Sequence, residues 1–518
     1  MHQATAEVTE PAGPAAGRLI TQLEIGLPSR IALGRGNAFA IAGYSYHPRD
    51  RIRKLTVDVG GERTDALHIG MPRADVVERL DRGARTSTGR NRLRALAFRS
   101  GFLAIARLSP RTIATDAEVR LVARLADGGE ADSLLGRVRL DPSLDPAKTT
   151  EPAFSRTPGP RVAICMATHD PPPELLRRQI ASLRGQTHGN WICRISDDHS
   201  RPERLAALEE AIGGDERFLI SASERRLGFY RNFERTLAMV PASADFVTLC
   251  DQDDRWDPNR LERLLARMGP GVELAYSDAR VVDADGQTIH PSYWTARPTN
   301  YTNFGSLLIA NTVPGAASLF GRDLLDDLLP FPPPLGNPFH DHWLALVALA
   351  RGRIAYIDDP LYDYVQHGGA VIGHAGANRE PRRRRRGRWS PDGLPRRGNA
   401  AMGVYYYVWA QQRLFGEVLR LRCETRMDAG KRRALRRFVS ADTDAGGVAW
   451  LLARRLRRLW GRRETMDVEA HLAKAILWRW VIALSAGGRP LRWRAGDARV
   501  PPPPVQERAV EEEAQRPL

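Results

Sequence analysis

Three short apolar runs in this sequence lead into polar, acidic stretches: Thr168-His169-Asp170, Ser196-Asp197-Asp198 and Asp251-Gln252-Asp253-Asp254. Carboxylates gathered at one rim repel one another, so such a grouping calls for a cation or for hydrogen-bond donors. Hard oxygen ligands suit Mg2+ or Mn2+, which commonly bridge a diphosphate. Neither GxxxxGK[ST] nor GxGxxG accompanies these runs, so a glycine-rich phosphate loop is not the device. A nucleoside diphosphate held through a divalent metal suits the residue types better. A plainer use stands beside it. Asp251 and Asp253 are good N-caps for a helix beginning near Pro258, and Asp198 for the helix that follows it.

Those acids need a scaffold that brings strand ends together. From Arg161 the pattern alternates. Strands are expected over Arg161–Ala167, Trp191–Ser196, Phe218–Ser221, Asp245–Cys250 and Glu273–Ser277. Helices are expected over Glu174–Gln186, Pro202–Ile212, Phe229–Val240 and Pro258–Met268. Strand, crossover, strand at this spacing implies a mostly parallel sheet with helices on its faces. Ligands of such sheets bind beyond the carboxyl ends of the strands, where the acids fall.

Three motifs follow one another in this part of the chain. The first is Phe246-Val247-Thr248-Leu249-Cys250-Asp251-Gln252-Asp253-Asp254, continuing through Arg255-Trp256-Asp257-Pro258. The second is Phe339-His340-Asp341-His342-Trp343, and the third Leu361-Tyr362-Asp363-Tyr364-Val365-Gln366-His367-Gly368-Gly369. With them, the run from Arg161 to about Gly373 resembles a family 2 glycosyltransferase of the GT-A fold, in particular its rhamnosyltransferase-like bacterial branch. The resemblance implies an α/β nucleotide-diphospho-sugar transferase domain over residues 161–378. It implies a DxD motif in which Asp253 ligates Mn2+ or Mg2+ and Asp251 contacts the ribose or the metal shell. It further implies that Thr168 and Asp170 line the donor-base pocket, that Asp198 bonds the nucleobase, and that Arg231 and Asn232 line the nucleotide. His367 matches a position that completes the metal shell or contacts phosphate. Asp341 matches the general base that deprotonates the acceptor hydroxyl, and one in-line displacement inverts the anomeric centre. Pro314-Gly315-Ala316-Ala317 resembles the small-residue loop under the acceptor site. The sequence departs from the family pattern at Arg226, where Asn is usual, and at His340, where Glu is commoner.

The remaining chain frames this domain. Residues 1–17 read as a disordered leader without a signal-peptide core. Short alternating strands over 18–143 predict an all-β sandwich with no catalytic cluster, and 144–160 reads as a linker. An arginine-rich connector is expected over 379–400, a basic α-helical region over 401–500 and a disordered tail over 501–518.

The chain has 518 residues and a net charge of +16. By count, residues 379–499 carry 30 Lys and Arg against 11 Asp and Glu, net +19, and the rest of the chain is net −3. Arginine beside leucine over 448–460, and tryptophan interleaved with Lys and Arg over 471–494, suit an anionic bilayer interface. No helix-turn-helix, RNA-binding or zinc signature points to nucleic acid. The four cysteines are widely spaced and three lie in apolar runs, as in a reducing compartment. The expectation is thus a cytoplasmic enzyme, peripheral on the inner face of the cell membrane. It would take a nucleoside-diphosphate sugar and a glycan or lipid-linked acceptor. The rival is a non-catalytic glycan or membrane adaptor that retains the fold.

Overall fold

A computed structural model describes residues 18–83, 90–144, 158–294, 298–336, 338–367 and 401–485. The expected leader, connector and tail lie outside the described residues, as do most of the linker and the basic region beyond 485.

The central sheet begins with Val162–Thr168, whose apolar residues are buried on both faces, as a central parallel strand requires. It pairs in parallel with Trp191–Asp197 on one side and Phe246–Cys250 on the other, and Phe218–Ala222 extends the first side. Beyond Phe246–Cys250 lies the antiparallel Ser318–Gly321, then Val272–Asp283 and Arg353–Gln366, which run parallel to each other. The sheet is therefore mixed, with nine strands among the described residues. Helices join the parallel strands. Pro173–Arg184 starts on a proline at its first turn and buries Leu175, Leu176, Ile180 and Leu183 against the sheet. Pro202–Ile212 ends at Gly213, whose left-handed φ of 56° closes the last turn without a Cβ clash.

The N-terminal region forms two sheets. One has four strands, built from Ile20–Ile25, Asn37–Tyr46, Arg99–Leu108 and His68–Pro72. The other has five, from Arg30–Ala32 through Glu130–Asp141, Thr115–Leu125, Ile52–Val59 and Glu62–Asp65. Phe39, Ile41, Phe102 and Leu121 fill the core between them. The region is not all-β: helices Ala74–Gly83 and Arg90–Phe98 intervene. They supply Val76 and Ala97 to a small cluster around Tyr46.

The C-terminal helices Ala410–Cys423, Ala429–Val439, Ala445–Arg455 and Val468–Ser485 are not a module apart, as their charge suggests from sequence. Tyr405, Trp409, Phe415, Phe438 and Ile476 belong to one continuous core with the central sheet and with Ala38, Ala40 and Ala42 of the four-stranded sheet. Many arginines here serve packing. Buried Arg422 donates to the Gly36 carbonyl at 2.6 Å and the Asp327 carbonyl at 3.0 Å. Buried Arg413 pairs with Asp442. The fully buried Asp327 carboxylate joins three regions: Arg35 at 2.8 Å, Arg351 at 3.2 Å and Arg426 at 2.7 Å.

Candidate functional site

Parallel pairing places Thr168 beside Asp197, so the first two acidic runs leave the sheet together. Thr168 Oγ1 donates to Asp197 Oδ1 at 2.9 Å, and Asp197 also accepts from the Ser200 amide at 2.9 Å and hydroxyl at 2.6 Å. Asp170 adopts a left-handed φ of 43°. Its amide donates to Ser200 Oγ at 2.8 Å, and its carboxylate takes the Arg201 amide and guanidinium at 2.9 and 3.0 Å. Those contacts hold its carboxyl below the usual range against the opposing effect of burial.

Asp198 is 2% exposed and accepts from two consecutive amides, Leu227 at 2.5 Å and Gly228 at 2.9 Å. Its structural work is to clamp the loop that opens helix Phe229–Ala238. Gly228 stands at φ 80°, which a side chain would strain. From that helix, Arg231 pairs with Glu234 at 2.6 Å and donates to the Phe331 carbonyl at 3.4 Å. Buried Asn232 donates to the Thr168 carbonyl at 3.2 Å, and its Oδ1 has no partner among the described residues.

The third acidic run follows strand Phe246–Cys250. A pair of contacts invisible in the motif locks it to the first strand's end: Gln252 Oε1 accepts from the His169 amide at 2.8 Å, and Gln252 Nε2 donates to the His169 carbonyl at 3.2 Å. Asp254 accepts from the Val365 amide at 3.2 Å, drawing in the last strand. That strand carries His367 to Asp253, at 2.8 Å between Nε2 and Oδ2. The contact raises the imidazole's pKa. Burial first, then Asp253 and Asp341, push the Asp251 carboxyl up to about 7. Asp341 thus shares the electrostatic space of the DxD pair although it lies 88 positions beyond Asp253 in the numbering.

Asp341 sits in the first turn of helix His340–Arg351, and its Oδ1 accepts from the His342 amide at 2.6 Å. Beside it, His340 stacks on Phe233 with ring centroids 3.8 Å apart. Burial lowers its pKa to about 3, so the ring is neutral at ordinary pH. Gly315 lies directly against this pair. A Cβ there would come within 2.9 Å of His340 Nε2 and 3.3 Å of the Asp341 Cβ, so any larger residue would force this pair to shift.

No three His, Cys, Asp or Glu side chains among the described residues converge closely enough to enclose an ion. The donor set present suits a metal carried by its substrate. Mg2+ and its relatives take one or two carboxylates from the protein and fill their remaining positions with phosphate oxygens and water. Asp253, Asp251 and His367 are the groups that would face such an ion, and its charge would offset both the burial and the neighbouring carboxylates that raise Asp251.

The mixed sheet, with helices on its faces and acids at the carboxyl edge of its parallel strands, has the GT-A-like fold. Residues 163–329 match the family model for Glycosyl transferase family 2. An uncharacterized glycosyltransferase, MJ1057 of Methanocaldococcus jannaschii, is 26% identical over 133 residues, 25% of this chain and 45% of that protein. The O-antigen biosynthesis protein RfbC of Myxococcus xanthus is 26% identical over 251 residues, 47% of this chain and 18% of that protein. The chain therefore spans less than half the length of these relatives. Among solved structures, S. aureus TarS 1–349 in complex with UDP-GlcNAc is 16% identical with a TM-score of 0.37, covering 65% of this chain and 95% of that one. The mannosyltransferase PcManGT from Pyrobaculum calidifontis, in complex with GDP-Man and Mn2+, is 14% identical with a TM-score of 0.33, covering 64% and 90%.

Proposed function

We propose that the protein is an inverting, divalent-metal-dependent glycosyltransferase. It would move a sugar, rhamnose being one candidate, from a nucleoside-diphosphate donor to a hydroxyl of a cell-surface glycan or lipid-linked acceptor. The observation that carries this reading is the convergence of Asp251, Asp253 and Asp341 at the carboxyl edge of the sheet, expressed in the raised Asp251 carboxyl. In this reading Thr168, Asp170, Asp198, Arg231 and Asn232 surround the nucleotide. The loops that Asp198 and Gln252 clamp give it a preorganised seat. A bound Mn2+ or Mg2+ supplies positive charge against the diphosphate leaving group. Asp341 takes the proton from the acceptor hydroxyl as that oxygen attacks the anomeric carbon. The attack breaks the sugar–phosphate bond and inverts the centre.

The reaction would take place at the cytoplasmic face of an anionic membrane, where lipid-linked acceptors are presented. No helix among the described residues is long and apolar enough to cross a membrane. The test is a donor panel of UDP-, dTDP- and GDP-sugars with acceptor preparations. Nucleotide release that requires Mn2+ or Mg2+ is the expected result. Absence of release from every donor would favour a binding adaptor that retains the fold.

A further inference from the structure

Arg413, Arg422 and Arg479 are buried in the fold, yet one stretch of this region turns its side chains outward. Helix Ala445–Arg455 and the 3-10 turn Leu456–Trp460 bury Val448 and Leu451 on their inner side. Their outer side also carries large apolar residues: Leu452 is 44% exposed, Leu456 54%, Leu459 73% and Trp460 74%. Large apolar side chains left exposed in a row among arginines suit a lipid interface. The adjoining helix Val468–Ser485 repeats the pattern, with Leu477, Val481 and Leu484 exposed at helical spacing. Ordinary surfaces scatter such residues singly, so exposed rows on two helices that pack together mark an interaction site.

The charge around this face selects the partner. Arg455 and Arg458 flank the leucines and share the exposed Asp467. Further on, Arg462 and Arg463 are exposed; their backbones bond within the turn, and their side chains have no hydrogen-bond or ion-pair partner among the described residues. Apolar side chains that half emerge beside exposed guanidinium groups complement an anionic bilayer: leucine and tryptophan enter the acyl boundary while arginine meets the headgroup phosphates. Nucleic acid would use the arginines and leave the leucine row in water.

We infer that Leu452, Leu456, Leu459 and Trp460, with Arg462 and Arg463, form a membrane-docking face for anionic phospholipid. The inference rests on the proposed reading of a lipid-presented acceptor and narrows the whole basic region to one helical edge. Docking there is separate from the carboxylate site, because the face contains none of its residues.

The test uses the full chain and vesicles of phosphatidylglycerol with phosphatidylcholine, against phosphatidylcholine alone. Wild-type protein should sediment with the anionic vesicles only. Arg462→Glu/Arg463→Glu should weaken that binding by at least roughly tenfold, given what each basic residue contributes near such a surface. Leu459→Ser/Trp460→Ser should weaken it while the melting temperature stays unchanged. Three results would overturn the inference. One is no binding to anionic vesicles. Another is equal binding by both variants. The third is a wild-type dimer that Leu459→Ser/Trp460→Ser dissociates, which would make the occupant a second copy of the chain. Vesicle binding needs no turnover, so its loss leaves the glycosyl-transfer reading standing. Failure of the donor panel equally leaves the docking result interpretable.

Discussion

Asp327→Asn removes one charge from the point where three parts of the chain meet, and its cost follows from what each arginine has left. The Arg35 and Arg426 side chains are 44% and 43% exposed, so water replaces the lost carboxylate there. Arg351 is 9% exposed but keeps Glu273 at 3.1 Å and Asp323. Removing one partner of a buried pair costs ~3–5 kcal/mol when the other charge is stranded. Because no arginine is fully stranded, the substitution belongs at the lower end, about 3 kcal/mol. That lowers the ratio of folded to unfolded protein by roughly 150-fold. The assay is urea unfolding of the full chain followed by tryptophan fluorescence, with Arg426→Ala as the comparison. Arg426 is a half-exposed single partner, and its loss should cost ~1 kcal/mol or less. The reasoning fails if Asp327→Asn unfolds within about 0.5 kcal/mol of wild type, or if Arg426→Ala costs as much.

Asp253→Ala should abolish the metal-dependent thermal shift produced by nucleoside diphosphate; an undiminished shift would remove Asp253 from the ligand set. Gly315→Ala places a methyl group 2.9 Å from His340 Nε2 and displaces the Asp341 pair. A misplacement approaching 1 Å lowers kcat by ~100-fold, with the donor KM little changed, and steady-state kinetics reads both. His340 is neutral in the fold, its pKa lowered to about 3, and chargeable when unfolded. The unfolded chain therefore binds the extra proton between about 6.5 and 3, and stability falls as pH drops through that window. Urea midpoints at pH 7 and pH 5 should differ less in His340→Gln than in wild type.

What the sequence discloses depends on how local the signal is. The run Phe246–Asp254 is legible because a buried strand followed at once by acids is a contiguous pattern. The Phe229–Ala238 helix and the Pro202 start are local in the same sense. Gln252 is another matter, since an amide that bonds a backbone 83 positions away leaves no mark in spacing. The helices Ala74–Gly83 and Arg90–Phe98 escaped because they are short and charged, between segments that alternate like strands. The C-terminal charge misled in an instructive way. Counting arginines gives their number but not their partners. Arg422 and Arg426 find theirs in carbonyls and a carboxylate 95 and 99 positions away. The apolar rows of 452–460 were visible, but only the fold shows which side of the helix is left uncovered.

The central claim is that Asp341 removes the acceptor's proton at a carboxylate-lined donor site. The measurement that tests it most directly is turnover by Asp341→Asn beside its nucleotide binding, with the donor and acceptor that the panel identifies. The account predicts that donor binding persists in the presence of Mn2+ or Mg2+ while turnover falls by ~100-fold or more, the usual contribution of a general base. Turnover equal to wild type would contradict it.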